Sequence, residues 1–309
     1  QGLDFLRGGA RPPQPMIMGF IDQMRAKGHA VESICRVLRQ EGCQIAARTY
    51  RAWRRRSASA RDTSDAVLLN VLHDLVGTPE GLYGRRKMTA WLRREGHQVG
   101  AGRVDRLMRV AGMNGVRRGR PVRTTVPAKD GCRAGDLLNR DFTAAAPNTK
   151  WVADFTYVRT WAGFVYVAFV LDCYSQRILA WHAATAKTTP LVLTPLRIAL
   201  WDRDRHGHPV QPGELIAHSD AGSQYTSLRF AEHLAAEGIA ASIGTVADAY
   251  DNALMECVIG LYKTECITTT IFHNGPYKTI ADVEYATAGW VEWYNNRRLH
   301  SVSYTHLTL

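Results

Sequence analysis

Between residues 151 and 185 three segments of strand character follow one another with almost nothing between them. Residues 151–159 alternate, 164–172 form a continuous apolar run, and 177–185 make a third strand. The intervening turns, 160–163 and 173–176, are far too short for crossovers, so the three segments suit an antiparallel meander. Beyond them the pattern alternates. An apolar-striped helix over 191–203 precedes a strand over 214–218. A helix over 228–237 precedes a short strand over 241–245. Helices over 252–264 and 280–295 close the series. A meander followed by alternating helix and strand predicts an α/β layer around a mixed five-stranded sheet with flanking helices.

Everything before residue 150 reads as helix, turn and linker. A helix over 16–27 carries Phe20, Ile21 and Met24 on one face. Ile34, Val37 and Leu38 stripe a second, Glu41-Gly42 makes a turn, and a third helix over 46–56 turns Tyr50 and Trp53 inward. Arg48, Arg51, Arg54, Arg55 and Arg56 cover the rest of that third helix. Two short helices about a Gly turn, with arginine on the second, suit a helix-turn-helix lying along DNA. A helical hairpin with a solvated basic face fits the same residues. The polar stretch SASARDTSD leads to a second helical block with helices over 66–76, 85–95 and 101–111, stopped at Gly96 and Gly112. Arginine again crowds its last helix, at Arg103, Arg106 and Arg109. The resulting organisation is a flexible leader (1–15), a helix-turn-helix-like region (16–60), a second one (61–115), a basic linker (116–148), the α/β core (149–300) and an atypical tail (301–309). The linker either tracks a phosphate backbone or is a solvated connector.

Charge divides the chain at the same place. Residues 1–150 hold 28 Lys and Arg against 13 Asp and Glu, whereas residues 151–309 hold 11 against 15. The first half can neutralise phosphates and release counterions, and the second concentrates carboxylates. The longest apolar run, FVYVAFVL, is well short of the roughly 20 residues of a membrane-spanning helix. The first residues lack a basic stretch followed by an apolar core, so no secretory signal is expected. The six cysteines form no C-x-x-C pair, which suggests a reducing compartment.

Three acidic residues stand out in the core: Asp154 in WVADFTYV, Asp220 in IAHSDAGSQYTS and Glu256 in DAYDNALMECVIGLYKTE, with 35 residues between the last two. Asp154 shares a strand side with Val152 and Thr156, where a lone charge costs free energy unless a cation compensates it. Asp220 ends a strand, where open α/β sheets place their sites. Asn252, Glu256, Gly260 and Lys263 lie on one line of their helix, with apolar stripes around the remainder. That arrangement predicts Glu256 and Lys263 at one opening, with Gly260 leaving room for a ligand backbone. Three carboxylates with water and phosphate oxygens suit two divalent ions about 3.5–4 Å apart, one activating an attacking oxygen and the other stabilising a leaving one. Taken singly, each acid also reads as a surface ion pair or a helix cap.

At WVADFTYV, HSDAGSQYTS, DAYDNALMECVIGLYKTE and WVEWYNNRRLH the chain resembles the integrase catalytic core of bacterial insertion sequence 3 family transposases, which is similar to retroviral integrases and ribonuclease-H-like in fold. ICRVLRQEGCQIAARTY and YGRRKMTAWLRREG resemble that family's helix-turn-helix regions. The resemblance implies a mobile-element enzyme of DNA recombination. It would bind terminal inverted repeats, hydrolyse a phosphodiester and join the freed 3′-OH to DNA in transposition and DNA integration. It implies Asp154, Asp220 and Glu256 as catalytic ligands of two Mg²⁺ or Mn²⁺ ions, and Lys263 on DNA phosphate near the cleaved end. It puts His218, Ser223, Gln224, Tyr225, Tyr250 and Asn252 close to the site, where His218 also reads as a satisfied strand histidine and Tyr250 as a core aromatic. It further implies a circular intermediate, a homo-oligomer holding two DNA ends, and work in the bacterial cytoplasm at the nucleoid.

Two rival readings remain: a ribonuclease-H-like nuclease that only cuts, and a catalytically defective relic that represses by binding DNA. The tail VSYTHLTL departs from the family pattern after RRLHS, and the first residue is Gln rather than Met. A truncated or fused reading frame is the expectation from these ends, with the last helix losing its backing.

Overall fold

The structure is a computed structural model that describes residues 12–56, 59–117, 137–138, 141–220, 222–243 and 252–300. Tyr250, the tail 301–309 and most of the leader and linker lie outside the described residues. The chain divides into two compact units, Gln1–Val67 and Leu68–Leu309.

The first unit closes three helices, α1 (Gln14–Ala26), α2 (Val31–Gln40) and α3 (Ala47–Arg55), on a small core of Ile17, Ile21, Ile34, Cys35, Leu38, Cys43, Ile45 and Tyr50. The apolar stripe of α2 differs by one position from the expected one: Cys35 is buried and Val37 is 44% exposed. A free thiol packs as a small hydrophobe, which the sequence pattern underrates. Ion pairs from Arg51 to Glu32 and from Arg54 to Asp22 tie α3 to its neighbours.

α4 (Ala60–Asp74) starts inside the stretch expected to separate the two helical blocks. The Ser59 N–H and hydroxyl donate to Asp62 Oδ2 at 3.1 and 2.7 Å, and the Asp62 N–H donates back to Ser59 Oγ at 3.1 Å. This reciprocal capping box offsets the polar composition of the first turn.

In the second unit Leu68 and Leu72 of α4, with Leu75 just after it, meet a single 3₁₀ turn (Pro79–Leu82), α5 (Arg85–Arg94) and α6 (Ala101–Val110). Gly96 and Gly112 end these helices at φ values of 87° and 67°, left-handed backbone that favours glycine. This helical block shares one apolar cluster with the sheet and the last helix, so the two form a single body. Gly115 crosses Gly84 so closely that an added Cβ would lie 2.4 Å from the Gly84 Cα. Gly115→Ala is therefore expected to destabilise this unit by about 1–3 kcal/mol. Thermal denaturation with an unchanged midpoint would refute the crossing.

The sheet has the order β3-β2-β1-β4-β5. β1 (Lys150–Thr160), β2 (Gly163–Asp172) and β3 (Ile178–Ala184) form the expected antiparallel meander, while β4 (Ile216–Ser219) and β5 (Ala240–Ile243) run parallel to β1. One face, with Trp151, Ala168, Val170 and Ala180, packs on α7 (Thr189–Arg205) and α8 (Leu228–Ala236). The other, with Val152, Val167, Phe169 and Leu171, lies under α9 (Ala253–Leu261), a π-helical turn (Tyr262–Ile267) and α10 (Ile280–Asn296). Phe169 meets Tyr262 at 5.1 Å and Trp290 at 6.2 Å between ring centroids.

α10 is backed by groups that precede residue 300. The Asn295 side chain accepts from the Ile178 N–H and donates to its carbonyl, Trp293 Nε1 donates to Glu80, and the Leu299 N–H donates to the Tyr83 hydroxyl. Arg298 forms a buried ion pair with Glu265 at 2.6 Å. Among the described residues, no helix is long and apolar enough to cross a membrane.

Candidate active site

β4 pairs with β1 only from Lys150 to Ala153, so from Asp154 onward β1 has β2 alone beside it. This open edge carries Asp154, with Asp220 beside it at the end of β4. Asp154 is in register with Phe169 and so lies on the face covered by α9 and α10. The Phe155 N–H, left without a β4 partner, donates to Asp154 Oδ1 at 2.7 Å. Asp220 follows β4 directly, on the same side as His218, which is in register with Val152.

The third acid is brought in by α9, and Asn252 fixes how. Its Nδ2 donates to the Ala153 carbonyl at 3.2 Å, tying the start of the helix to the open edge of β1 one residue before Asp154. Glu256, one turn further along, is exposed. Asn252 is 5% exposed and its Oδ1 is buried without a hydrogen-bond partner. It acts here as a tie between elements. Gly260 is buried too.

The three acids act on one another electrostatically. Burial raises the Asp154 carboxyl well above the usual carboxylate range, the Asp220 charge raises it further, and Glu256 adds to the effect. Burial likewise raises Asp220, against the Gly222 N–H and His218, which both lower it. Lys263, in the π turn beyond the straight helix expected there, is lowered by burial and pulled back by Asp154. Its Nζ sits 5.0 Å from the centre of the Tyr157 ring. Two desolvated carboxyls, Asp154 and Asp220, stand with Glu256 acting on the first, and the cations that act on them are Lys263 at Asp154 and His218 at Asp220. Hard oxygen donors with excess negative charge are the donor set of a divalent cation such as Mg²⁺. Among the described residues, no three His, Cys, Asp or Glu side chains stand close enough together to hold a metal ion.

The remaining expected positions separate into two groups. His218 is buried inside the sheet, its Nδ1 2.8 Å from Ser242 Oγ, which also accepts from the Leu137 N–H. That is the satisfied strand histidine, although its proximity still tempers Asp220. Tyr225 is buried between Phe155 and Phe230, and its hydroxyl has no hydrogen-bond partner. The charges of Asp154 and Asp220 add to burial in raising its pKa, so the ring borders the site. Gln224 donates from Nε2 to the Lys187 carbonyl at 3.2 Å, and Ser223 is exposed.

The arginines of the basic helices differ in exposure. In the first unit Arg48 and Arg55 are exposed, while Arg51 and Arg54 are half engaged in the ion pairs of α3. In the second unit Arg103 and Arg106 are half-buried. An open groove there, about 480 Å³, is lined by Arg85, Arg86, Lys87, Arg109 and Arg117 together with Asp105, which pairs with Arg109. Arg85, Arg86 and Lys87 precede the apolar stripe of α5 as a run of three cations, a signal overlooked beside the arginines of α6.

This topology, with its acidic cluster on the covered face, is a ribonuclease-H-like core of the integrase type behind helix-turn-helix elements. Comparison with known proteins agrees. Residues 144–249 and 237–303 match integrase core domains, and residues 67–121 match an HTH-like domain. A protein of insertion sequence element IS986/IS6110 from Mycobacterium tuberculosis is 45% identical over 256 residues, covering 83% of this chain and 90% of its own. The transposase for insertion sequence element IS629 of Shigella sonnei is 44% identical over 241 residues, covering 78% and 77%. Transposase InsF for insertion sequence IS3A of Escherichia coli is 29% identical over 290 residues, covering 91% and 93%. The chain belongs to the insertion sequence 3 family of transposases.

Proposed function

We propose that this transposase binds the terminal inverted repeats of its element, hydrolyses one phosphodiester at each end and joins the freed 3′-OH to a second DNA at one centre. The observation that carries this reading is the placing of Asp154 on the open edge of β1 with Asp220 directly after the adjacent β4, both desolvated on the same side of the sheet. Asp154, Asp220 and Glu256 would hold two Mg²⁺ or Mn²⁺ ions, which supply activation of the attacking oxygen and stabilisation of the leaving one. Glu256, exposed at the end of one turn of α9, turns inward to complete the set. Asn252 holds the start of that helix on β1 and so fixes the swing. Lys263 grips a phosphate beside the reacting bond and leaves the Tyr157 ring to do so. Burial around Asp154 and Tyr225 keeps water other than the attacking molecule away. No serine or tyrosine nucleophile is required, because each step is an in-line displacement by an oxygen of water or DNA.

Arg48 and Arg55 of the first unit, and the groove of Arg85, Arg86, Arg109 and Arg117 in the second, neutralise phosphates of the repeat. Two copies or more hold two ends together, in the bacterial cytoplasm at the nucleoid. Arg48→Ala with Arg55→Ala should weaken duplex binding and lower the salt slope of log K by about 0.9 for each phosphate no longer neutralised. Fluorescence anisotropy across a salt series measures this, and an unchanged slope would remove α3 from the interface. The function itself is tested with a labelled duplex taken from the repeats that flank the gene. Mg²⁺-dependent nicking that leaves a 3′-OH is expected, and tight binding with no nicking would leave only a repressor.

A further inference from the structure

Beyond Tyr157 and its partner Tyr166, where β3 has ended, β1 and β2 run on as a two-stranded ribbon whose aromatic side chains are not buried. Trp161 at the tip is 72% exposed, Phe164 51% and Tyr157 41%. Tyr157 and Phe164 meet edge to face at 5.3 Å. The tip is nevertheless held in place: the N–H groups of Trp161 and Ala162 donate to the carbonyls of Tyr277 and Lys278 at 3.0 Å each, and the Thr160 hydroxyl donates to the Gly163 carbonyl at 2.7 Å. Cations bracket the rings. Lys263 Nζ lies over Tyr157, and Lys278 Nζ lies 5.6 Å from the centre of Trp161. Arg159 is the one charged residue in the stretch 155–171, and Lys278 the one Lys, Arg, Asp or Glu in 266–281. The strip is therefore aromatic and flanked by cations, with the Asp282 carboxylate held by the Lys278 and Thr279 N–H groups. Its tip is anchored before any ligand arrives, and Tyr157 at its base lies three residues along β1 from Asp154, on the other side of the strand.

We propose that this ribbon is a stacking platform for unpaired bases at the DNA end being processed. The inference rests on the function proposed above. Aromatic faces bracketed by lysine match single-stranded nucleic acid, since every base offers a π-face and every nucleotide a phosphate. A duplex hides its base faces, so fraying of the terminal pairs is what the platform would capture. Exposed aromatics held by backbone hydrogen bonds lose little freedom when they stack, which favours such a role over a passive surface.

The test compares the full-length wild type with Trp161→Ala, Phe164→Ala and the conservative Trp161→Phe. Fluorescence anisotropy would be read on a blunt duplex of the repeat and on the same duplex with its last three pairs mismatched. The wild type should prefer the frayed duplex. Trp161→Ala should lose about tenfold on that substrate and less than twofold on the blunt one, Phe164→Ala should lose in the same sense, and Trp161→Phe should keep most of the affinity. Equal affinity of Trp161→Ala and wild type for the frayed end would overturn the platform and leave the transposase reading standing. Loss of a dimer on sedimentation, with DNA binding intact, would overturn it and assign the strip to contact between copies. A wild type that binds neither duplex would overturn both readings together.

Discussion

Asp154→Asn is expected to abolish strand cleavage and joining while making the metal-free fold more stable. Loss of one preorganised electrostatic group in a dry site costs about 10²–10³ in rate, and removing one of the three proposed metal ligands should cost at least the upper figure. The stability effect has the opposite sign because burial and the Asp220 charge penalise the ionised Asp154. Its folded pKa lies above the unfolded value, so the native state binds more protons between the two. Stability from this group is thus present at low pH and falls as pH rises from about 4 through the folded value. Asparagine removes that fall, so the gain over wild type should widen with pH. Added Mg²⁺ should raise the wild-type melting temperature and leave the variant where it was. A purely structural Asp154 would give a destabilised asparagine variant, and melting curves at several pH values decide between the two.

Arg298→Met is expected to destabilise the second unit by about 3–5 kcal/mol, the cost of leaving a buried charge without its partner. Arg298 donates from Nε and Nη2 to Glu265 at 2.6–3.2 Å, both side chains are almost fully buried, and Trp290 Nε1 also donates to Glu265 at 3.3 Å. The guanidinium further lies 5.7 Å from the Trp293 ring and 5.6 Å from Tyr294. For a unit of this size the loss corresponds to roughly 6–20 °C in melting temperature. The pair joins the π turn that carries Lys263 to the end of α10, so its loss should loosen the lysine as well as the fold. Pairing Arg298→Met with Glu265→Leu should recover much of the stability, because no unpaired charge remains. A double variant no better than the single one would show that the pair contributes through its shape instead.

The sheet was legible because strand alternation and short turns leave few arrangements open to residues 151–185. Asp154 was legible for the same reason: a charge in mid-strand has few uses. The start of α4 could have been read from Ser59 and Asp62, whose spacing is a cap signature hidden in polar surroundings. Asn252 shares a helical line with Glu256 and so looked like a surface group. Only the end of β4 at Ser219, which frees the Ala153 carbonyl, shows that Asn252 turns inward. The π turn at Tyr262 depends on how that ring packs under Trp290, 5.2 Å away, and nothing local to the segment encodes it. The exposure of the α6 arginines was not legible, because periodicity reports a face without reporting what covers it: Arg109 is exposed, and Arg103 and Arg106 are half-buried.

The most direct measurement is single-turnover joining of a pre-cleaved 3′-OH repeat end into a second duplex with Mg²⁺, comparing the wild type with Asp220→Asn. The account predicts joined product from the wild type and at least a thousandfold less from the variant at equal DNA binding. Joining at wild-type rate by Asp220→Asn would contradict it.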